Sequence, residues 1–188
     1  MVHSLAVAIG AVVDVCRIGD SLRLDATDPG TRAGLVVLGE NYAYIGLTRD
    51  AEGSRVEART YTPGQSKTVH FSAPVPGPVT PVQLRVSSTD EGLCTFRFRT
   101  TPDGEWTTAL DGFQALPALW TSAELGLFAT APPGTPGTGQ AFFGAVGSRC
   151  PDRCALVSAH CARGGLSSGR TSVVPVGRRR GPADEGAS

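Results

Sequence analysis

The stretch Arg32–Arg49, RAGLVVLGENYAYIGLTR, predicts the fold more clearly than any other part of the chain. Two apolar runs, Ala33–Leu38 and Tyr42–Leu47, are separated only by the three residues GEN. Each run has the length of a strand and is rich in Val, Leu, Ile and Tyr, which suit the half-buried surface of a sheet. Glycine and asparagine accept the positive φ that a tight reversal often requires. We therefore expect a β-hairpin here.

The two strands of this hairpin differ in the pattern of their faces. In the second strand the side chains alternate, so Tyr42 and Tyr44 share one face while Ala43, Ile45 and Leu47 share the other. The first strand is instead apolar at every position of its second half. That pattern predicts a strand covered on both sides, by a second sheet below and by a loop or another domain above.

Composition limits the classes of protein to which the chain can belong. Its 188 residues fit one domain with a proper core. The 17 basic and 17 acidic residues balance, so no bulk field attracts nucleic acid or an anionic membrane. No apolar run approaches the length that spans a bilayer. The 24 glycines and 14 prolines lie largely between short apolar runs, which favours strands and turns over long helices.

Short runs with the character of strands recur along the chain, and none has convincing helical periodicity. Besides the hairpin they are Ser21–Ala26, Ser54–Tyr61, Lys67–Phe71, Val82–Ser87, Leu93–Thr100, Glu105–Ala109, Ser122–Ala129 and Gln140–Val146. About ten strands at this spacing predict a β-sandwich or a barrel. Of the two, we favour a pair of antiparallel sheets packed face to face.

The chain divides into three parts by character. Residues 1–19 form an atypical N-terminal segment, residues 20–147 the β domain, and residues 148–188 a Gly-, Ser- and Arg-rich tail predicted to be disordered. Leu5–Val13 resembles the apolar core of a secretion signal, but no basic residue precedes it and no small-residue cleavage site follows. The compartment stays unassigned, with the cytoplasm slightly favoured over secretion.

Three stretches then resemble a known family. They are RAGLVVLGENYAYIGLTR, VQLRVSSTDEGLCTFRFRTTPDGEWTTALDGF from Val82 and LWTSAELGLFA from Leu119. In order and spacing they are similar to the concanavalin A-like domain at the C-terminus of family 43 glycoside hydrolases, chiefly β-xylosidases and arabinofuranosidases. The resemblance covers about residues 20–147. It implies an all-β fold, a concanavalin A-like antiparallel β-sandwich (jelly roll).

The sequence also departs from that family. Its members carry a catalytic β-propeller before this domain, and 188 residues cannot hold it, so the propeller's catalytic acids have no counterparts here. Earlier strands of the sandwich are expected to be missing as well, with only residues 1–19 in their place. The chain is therefore similar to a truncated or stand-alone accessory domain.

The resemblance implies a non-catalytic accessory domain of a β-xylosidase-like glycoside hydrolase, active in carbohydrate binding or in docking on a catalytic β-propeller. The expected partner is a glycoside hydrolase catalytic domain or a xylan-type oligosaccharide, with no nucleic acid and no membrane. Two alternatives stay open. The chain could itself hydrolyse O-glycosyl bonds of xylan-type oligosaccharides, or it could be a non-functional gene fragment.

Carbohydrate binding needs aromatic faces that stack on sugar rings and a few polar groups that orient them. The candidates for contact with carbohydrate or with a partner are Asn41, Tyr42, Tyr44, Trp106 and Trp120. The two tryptophans are expected to pack inward more often than not. For the two tyrosines the sequence favours neither the core nor the surface.

We expect no catalytic, metal or cofactor site. Glycosidases need two carboxyl groups facing each other across a cleft. The acidic candidates lie on different predicted strands or turns with no motif linking them: Asp25, Glu57, Glu105 and Glu124. The possible zinc ligands have C-x3-C-x5-H-C spacing instead of the paired C-x2-C of structural zinc sites: Cys150, Cys154, His160 and Cys161.

Overall fold

A computed structural model describes the backbone of residues 7–8, 16–77, 80–89, 91–118, 123–135, 139–144, 147–149 and 172–175, and the side chains of those between 21 and 144. All of its regular elements are strands. They are β1 (Val7–Ala8), β2 (Cys16–Ala26), β3 (Arg32–Leu38), β4 (Tyr42–Arg49), β5 (Ser54–Tyr61), β6 (Thr68–Pro74), β7 (Val82–Ser88), β8 (Leu93–Arg99), β9 (Thr107–Gln114), β10 (Glu124–Thr130), β11 (Gly139–Phe143), β12 (Gly147–Arg149) and β13 (Ser172–Pro175).

The strands form two antiparallel sheets, which confirms the predicted all-β sandwich. Sheet A has the order β1-β10-β3-β4-β5-β6. Sheet B has the order β13-β11-β2-β7-β8-β9, and β12 pairs with β2. In sheet A the neighbours β3 to β6 are consecutive in the chain, and in sheet B only β7 to β9 are. The other main pairings are crossovers: β10 pairs with β3, β11 with β2 and β2 with β7.

The core lies between the two sheets and is built from the inward-facing side of each strand. Alternate residues of β3, β4 and β5 meet alternate residues of β2, β7 and β8, as the period of two in a strand requires. The largest fully buried side chains are Phe96, Phe143, Leu22, Leu35, Ile45, Leu47, Leu84, Val37, Val56, Val82 and Val86. The apolar residues that alternate along each strand are thus buried between the sheets, and their burial holds the two sheets together.

The hairpin predicted from the first quoted stretch is β3–β4, with Val37 opposite Ala43 and Gly34 opposite Gly46. Its faces are divided as predicted, because Ala43 and Ile45 are fully buried in the core. The other side of β3 is only partly covered, because Gly34 is buried there but Leu38 is 48% exposed.

Strands also occur outside the range 20–147 predicted for the β domain, and the domain bounds themselves stay a prediction. Strand β2 begins at Cys16, before the expected domain start at residue 20, and runs beside β7 along its first half. Within the range 148–188, residues 148–149 belong to β12, and Ser172–Pro175 pairs with β11. The rest of that range lies outside the described residues, so its disorder stays a prediction. Among the residues with described placement, none forms a helix that could cross a membrane.

Candidate functional site

The side of sheet A that faces away from sheet B carries aromatic and charged side chains that are partly or fully buried. We call it the outer face of sheet A. Strand register places its residues in four rows across β10, β3, β4 and β5. The rows are Glu124–Leu38–Tyr42–Tyr61, Gly126–Val36–Tyr44–Arg59, Phe128–Gly34–Gly46–Glu57 and Thr130–Arg32–Thr48–Arg55.

Two opposed glycines lie at the centre of this face. A Cβ atom added to Gly34 would overlap the carbonyl oxygen of Ile45, and one added to Gly46 would overlap that of Ala33. The strands β3 and β4 therefore approach each other here more closely than any pair of side chain-bearing residues permits. With no side chains of its own, the middle of the outer face is open to side chains from neighbouring rows.

Tyr44 lies beside the glycine pair and is buried, with 7% of its surface exposed. Its ring meets the edge of the Phe128 ring at a centroid distance of 5.1 Å. Its hydroxyl group is buried and has no hydrogen-bond partner in the structure. Burial raises the pKa of this phenol, against the opposing effect of the positive charges of Arg32 and Arg59. The hydroxyl group therefore stays protonated at neutral pH and can act as a hydrogen-bond donor.

Glu57 is buried on the same face, at 6% exposure, and is fully engaged. Its carboxylate accepts hydrogen bonds from Thr48 Oγ1 at 2.7 Å, from Arg59 Nε at 3.1 Å and from the Arg59 Nη2 atom at 3.0 Å. Burial alone would raise the pKa of this carboxyl group, but the bonds from Arg59 and Thr48 outweigh it and lower the pKa. Glu57 is thus an ionised partner of Arg59 and has no proton to give as a general acid.

Arg32 supplies a second positive charge to the cluster. It is half-buried, and its Nε atom is enclosed without a hydrogen-bond partner. Its charge acts on both Tyr44 and Glu57, lowering the pKa of each, so it lies near both groups. The ion pairs identified between described side chains do not include it.

The rim of the outer face is apolar and aromatic. Tyr42 stacks on Tyr61 with a centroid distance of 5.0 Å and an interplanar angle of 26°. The ammonium group of Lys67 lies 6.0 Å from the centre of the Tyr42 ring. Leu38 lies opposite Tyr42, and Val69 lies opposite Arg59 in the next row; both are nearly half exposed, at 48% and 47%. Exposed large apolar side chains on one face are a feature of interaction sites.

Asn41 has a different position from the tyrosines that follow it. It is buried, and its amide nitrogen donates to the carbonyl oxygen of Gln114 at 2.9 Å. Its side-chain oxygen accepts a hydrogen bond from the backbone N–H of Leu116 at 3.0 Å. Both ends of the amide are thus used to attach the hairpin turn to the segment after β9.

The predicted contact residues do not form a single site. Trp106 is half-buried and lies against two guanidinium groups of sheet B, with Cζ of Arg85 3.9 Å and Cζ of Arg99 4.7 Å from its ring centre. It is not part of the core cluster, so the expectation that it packs inward is wrong. Trp120 lies outside the described residues. Tyr42 and Tyr44 are brought together on the outer face of sheet A.

Sequence reasoning missed the polar part of this face. Arg32 and Glu57 are far apart in the chain, and no sequence motif links them. Only the register of β3, β4 and β5 brings them to adjacent rows. A usable signal was the arginine that follows Glu57 by two residues, since residues i and i+2 of a strand share a face.

Glu57 is bonded to Thr48 and Arg59, and no carboxyl group is among its described hydrogen-bonding partners. Likewise, the part of the chain with described side chains contains no group of three or more His, Cys, Asp or Glu residues placed to hold an ion. The possible zinc ligands from Cys150 to Cys161 lie outside that part.

Solved structures with this fold include several longer glycoside hydrolases. The GH43 protein BlXynB from Bacillus licheniformis superposes with a TM-score of 0.53 and 18% identity over 71% of this chain and 28% of that chain. A bifunctional GH43-CE protein of Bacteroides eggerthii superposes with a TM-score of 0.52 and 15% identity, over 64% of this chain and 17% of that chain. A xylan beta-1,4-xylosidase from Bacillus halodurans C-125 superposes with a TM-score of 0.49 and 19% identity, over 61% of this chain and 24% of that chain.

The two likenesses with TM-scores above 0.5 show the fold. The chain spans only about a quarter of the length of the two Bacillus proteins. None of the curated proteins matches it. The family assignment comes from the sequence itself, because residues 15–146 match the family described as the beta xylosidase C-terminal concanavalin A-like domain. That match includes both the hairpin β3–β4 and strand β10, which together carry most of the outer face. The chain therefore belongs to the family of beta xylosidase C-terminal concanavalin A-like domains.

Proposed function

We propose that this chain is a non-catalytic accessory domain that docks, through the outer face of sheet A, on the catalytic domain of a family 43 glycoside hydrolase. Family membership supports the pairing, because the domain is described as the C-terminal part of beta xylosidases. The longer proteins that share its fold have most of their length outside the matched region.

The observation that carries the proposal is the exposed apolar rim of the outer face. Leu38 and Val69 are the two most exposed of the large hydrophobic side chains in the described part of the chain. They lie on the same face as the Tyr42–Tyr61 stack, Leu38 in its row and Val69 in the next row. Covering such a patch with an apolar partner surface would be favourable by about 25 cal/mol per Å² of apolar area. The apolar residues in the second half of β3 also predict that both sides of this strand are covered, the outer side by a partner.

The same geometry favours docking over stacking on sugar rings. A sugar platform needs an aromatic ring with a free, flat face. One face of Tyr42 lies against Tyr61, Tyr44 is buried, and Trp106 contacts two arginines. Asn41, the polar group expected to orient a ligand, is engaged with the backbone.

Complex formation tests the proposal directly. The full chain is mixed with a family 43 catalytic domain from the same genome, expressed without a sandwich domain of its own, and studied by analytical ultracentrifugation. We expect a one-to-one complex. Leu38→Asp should weaken it at least about tenfold, since a carboxylate would be buried against an apolar surface.

The control is Thr108→Asp, which adds the same charge to exposed β9 in sheet B and should leave affinity unchanged. Thermal unfolding would establish that both variants are folded. Absence of a complex, or equal weakening by both substitutions, contradicts docking through this face. Hydrolysis of a chromogenic xyloside by the isolated chain, lost in Glu57→Gln, would contradict the non-catalytic assignment.

A further inference from the structure

Two buried hydrogen-bond donors on the outer face of sheet A lack partners. They are the Tyr44 hydroxyl and the Arg32 Nε–H. Leaving a buried polar group unpaired costs about 1–3 kcal/mol, and more for a charged one. Folded proteins rarely retain such groups without a use. Here two of them lie on one face, in rows separated only by the glycine pair.

The glycines allow these donors to converge. Tyr44 lies in the row on one side of Gly34 and Gly46, and Arg32 in the row on the other. Since neither glycine has a side chain, nothing projects between the two rows from β3 or β4. The positive charge of Arg32 acts to lower the pKa of Tyr44, which agrees with their proximity.

The charges nearby determine what kind of group would satisfy the donors. The cluster has two guanidinium groups, those of Arg32 and Arg59, and one carboxylate, that of Glu57. Three hydrogen bonds from Arg59 and Thr48 already occupy the Glu57 oxygens. One positive charge, on Arg32, is therefore left in excess, and the free groups are donors. An anion with two acceptor oxygens, a carboxylate, matches them best.

We propose that Tyr44 and Arg32 form a carboxylate site, occupied by an Asp or Glu side chain of the docked catalytic domain. One carboxylate oxygen accepts from the Tyr44 hydroxyl and the other from the Arg32 guanidinium. The source of the carboxylate rests on the proposed function, whereas the site itself does not. Arg32 is only half-buried and unrestrained by an ion pair, so its side chain can turn to admit the ligand.

The site can be tested on the free chain. Backbone amide shifts are followed by NMR during titration with N-acetyl-aspartate methylamide and with its neutral isostere, N-acetyl-asparagine methylamide. We expect saturable shifts in β3, β4 and β10 with the acidic probe only. Arg32→Gln and Tyr44→Phe should each weaken binding by about tenfold, the loss of one hydrogen bond to a charged group.

The matched control is Arg55→Gln. Arg55 lies in the same row as Arg32 but is bonded to Ser72 and paired with Asp50, so its loss should leave binding unchanged. Equal shifts with both probes, or undiminished binding in Arg32→Gln, would overturn the site. If Arg32→Gln fails to fold, Tyr44→Phe, which keeps the ring, gives the same decision.

Two further arms identify the source of the carboxylate. If the catalytic domain provides it, Arg32→Gln weakens the complex seen by ultracentrifugation and Arg55→Gln does not. If D-glucuronate binds the free chain with shifts that D-glucose does not cause, and the aspartate probe does not bind, an acidic sugar is the ligand and the assigned source is wrong. If the acidic probe binds the free chain but no complex with the catalytic domain forms, the docking proposal is refuted and the carboxylate site is retained.

Discussion

Glu57 shows how a single charged residue becomes tied to its surroundings. It lies on the solvent side of a sheet, yet Thr48 and Arg59 enclose it and occupy both of its oxygens. Arg59 itself is one-fifth exposed, so this pair is partly screened by water. Removing one partner from such a pair costs more than the pair contributes, because the other charge stays buried.

Replacing Glu57 with Gln should make stability less dependent on pH. The folded state lowers the pKa of this carboxyl group below its ordinary value of 4.5. Its contribution is therefore present above that value and is lost as the pH falls through the lower, folded value. We expect Glu57→Gln to cost about 1–2 kcal/mol at pH 7. The cost should shrink as the pH falls below 4.5, as measured by urea unfolding between pH 7 and pH 3.

Glu52→Gln is the control for this measurement, because Glu52 lies exposed in the turn between β4 and β5. Its substitution should change stability by less than about 0.5 kcal/mol at any pH. A difference between wild type and Glu57→Gln that is the same at pH 3 and pH 7 would refute the role given to the ionised carboxylate.

The close pairing of strands β3 and β4 depends on their opposed glycines, Gly34 and Gly46. Gly34→Ala should destabilise the protein by about 3 kcal/mol or more, because the new Cβ would meet the backbone of β4, which cannot move without disturbing the sheet. Gly46→Ala should behave alike. The free energy of unfolding in urea provides the measurement.

Gly126 offers a matched comparison on the neighbouring strand β10. A Cβ atom there would meet only Val36 Cγ1, at the ordinary contact distance of 3.8 Å. Gly126→Ala should be neutral or slightly stabilising, since glycine weakens the interior of a strand. Equal effects of Gly34→Ala and Gly126→Ala would show that the close approach of β3 and β4 does not constrain the fold.

The elements could be predicted from the sequence to the extent that they are local. The hairpin β3–β4 was predictable, because its two strands and its turn are contiguous and alternate with period two. The pairing of β10 with β3 was not, since it joins residues such as Leu125 and Val37 across the length of the chain. The polar part of the candidate site was not predicted either, because Arg32 and Glu57 come together only through the register of β3, β4 and β5.

The position of Trp106 could not be predicted for a related reason. Large aromatic residues usually pack in cores, and the sequence around Trp106 contains no sign to the contrary. Its ring is instead held by Arg85 and Arg99, which are outward-facing residues of adjacent strands. A cation–π contact of this kind depends on the pairing of β7 with β8.

At the scale of the whole molecule, Asn41 joins the two sheets. It lies in the turn of a sheet A hairpin and bonds to the backbone at the end of β9, in sheet B. Asn41→Ala should cost about 1–2 kcal/mol, because two backbone groups lose their partners but lie near water. It should also speed hydrogen exchange of the Leu116 amide. Urea unfolding and exchange NMR would measure both effects.

Glu40→Ala is the neighbouring control. The backbone N–H of Glu40 also bonds to Leu116, but its exposed side chain makes no bond that the substitution removes. We expect unchanged stability and unchanged exchange at Leu116. If Asn41→Ala and Glu40→Ala are indistinguishable, the attachment of the turn to sheet B does not depend on the Asn41 amide.

The order of strands also governs how fast the molecule can reach its folded state. Strands β3 to β6 are neighbours in the chain and in sheet A, as β7 to β9 are in sheet B, so each group can pair at small cost in loop-closure entropy. β10 and β11 must instead return to β3 and β2 from the far end of the domain. Nonlocal pairings of this kind slow folding. We therefore expect the two local meanders to form before β10 pairs with β3 and before β11 pairs with β2.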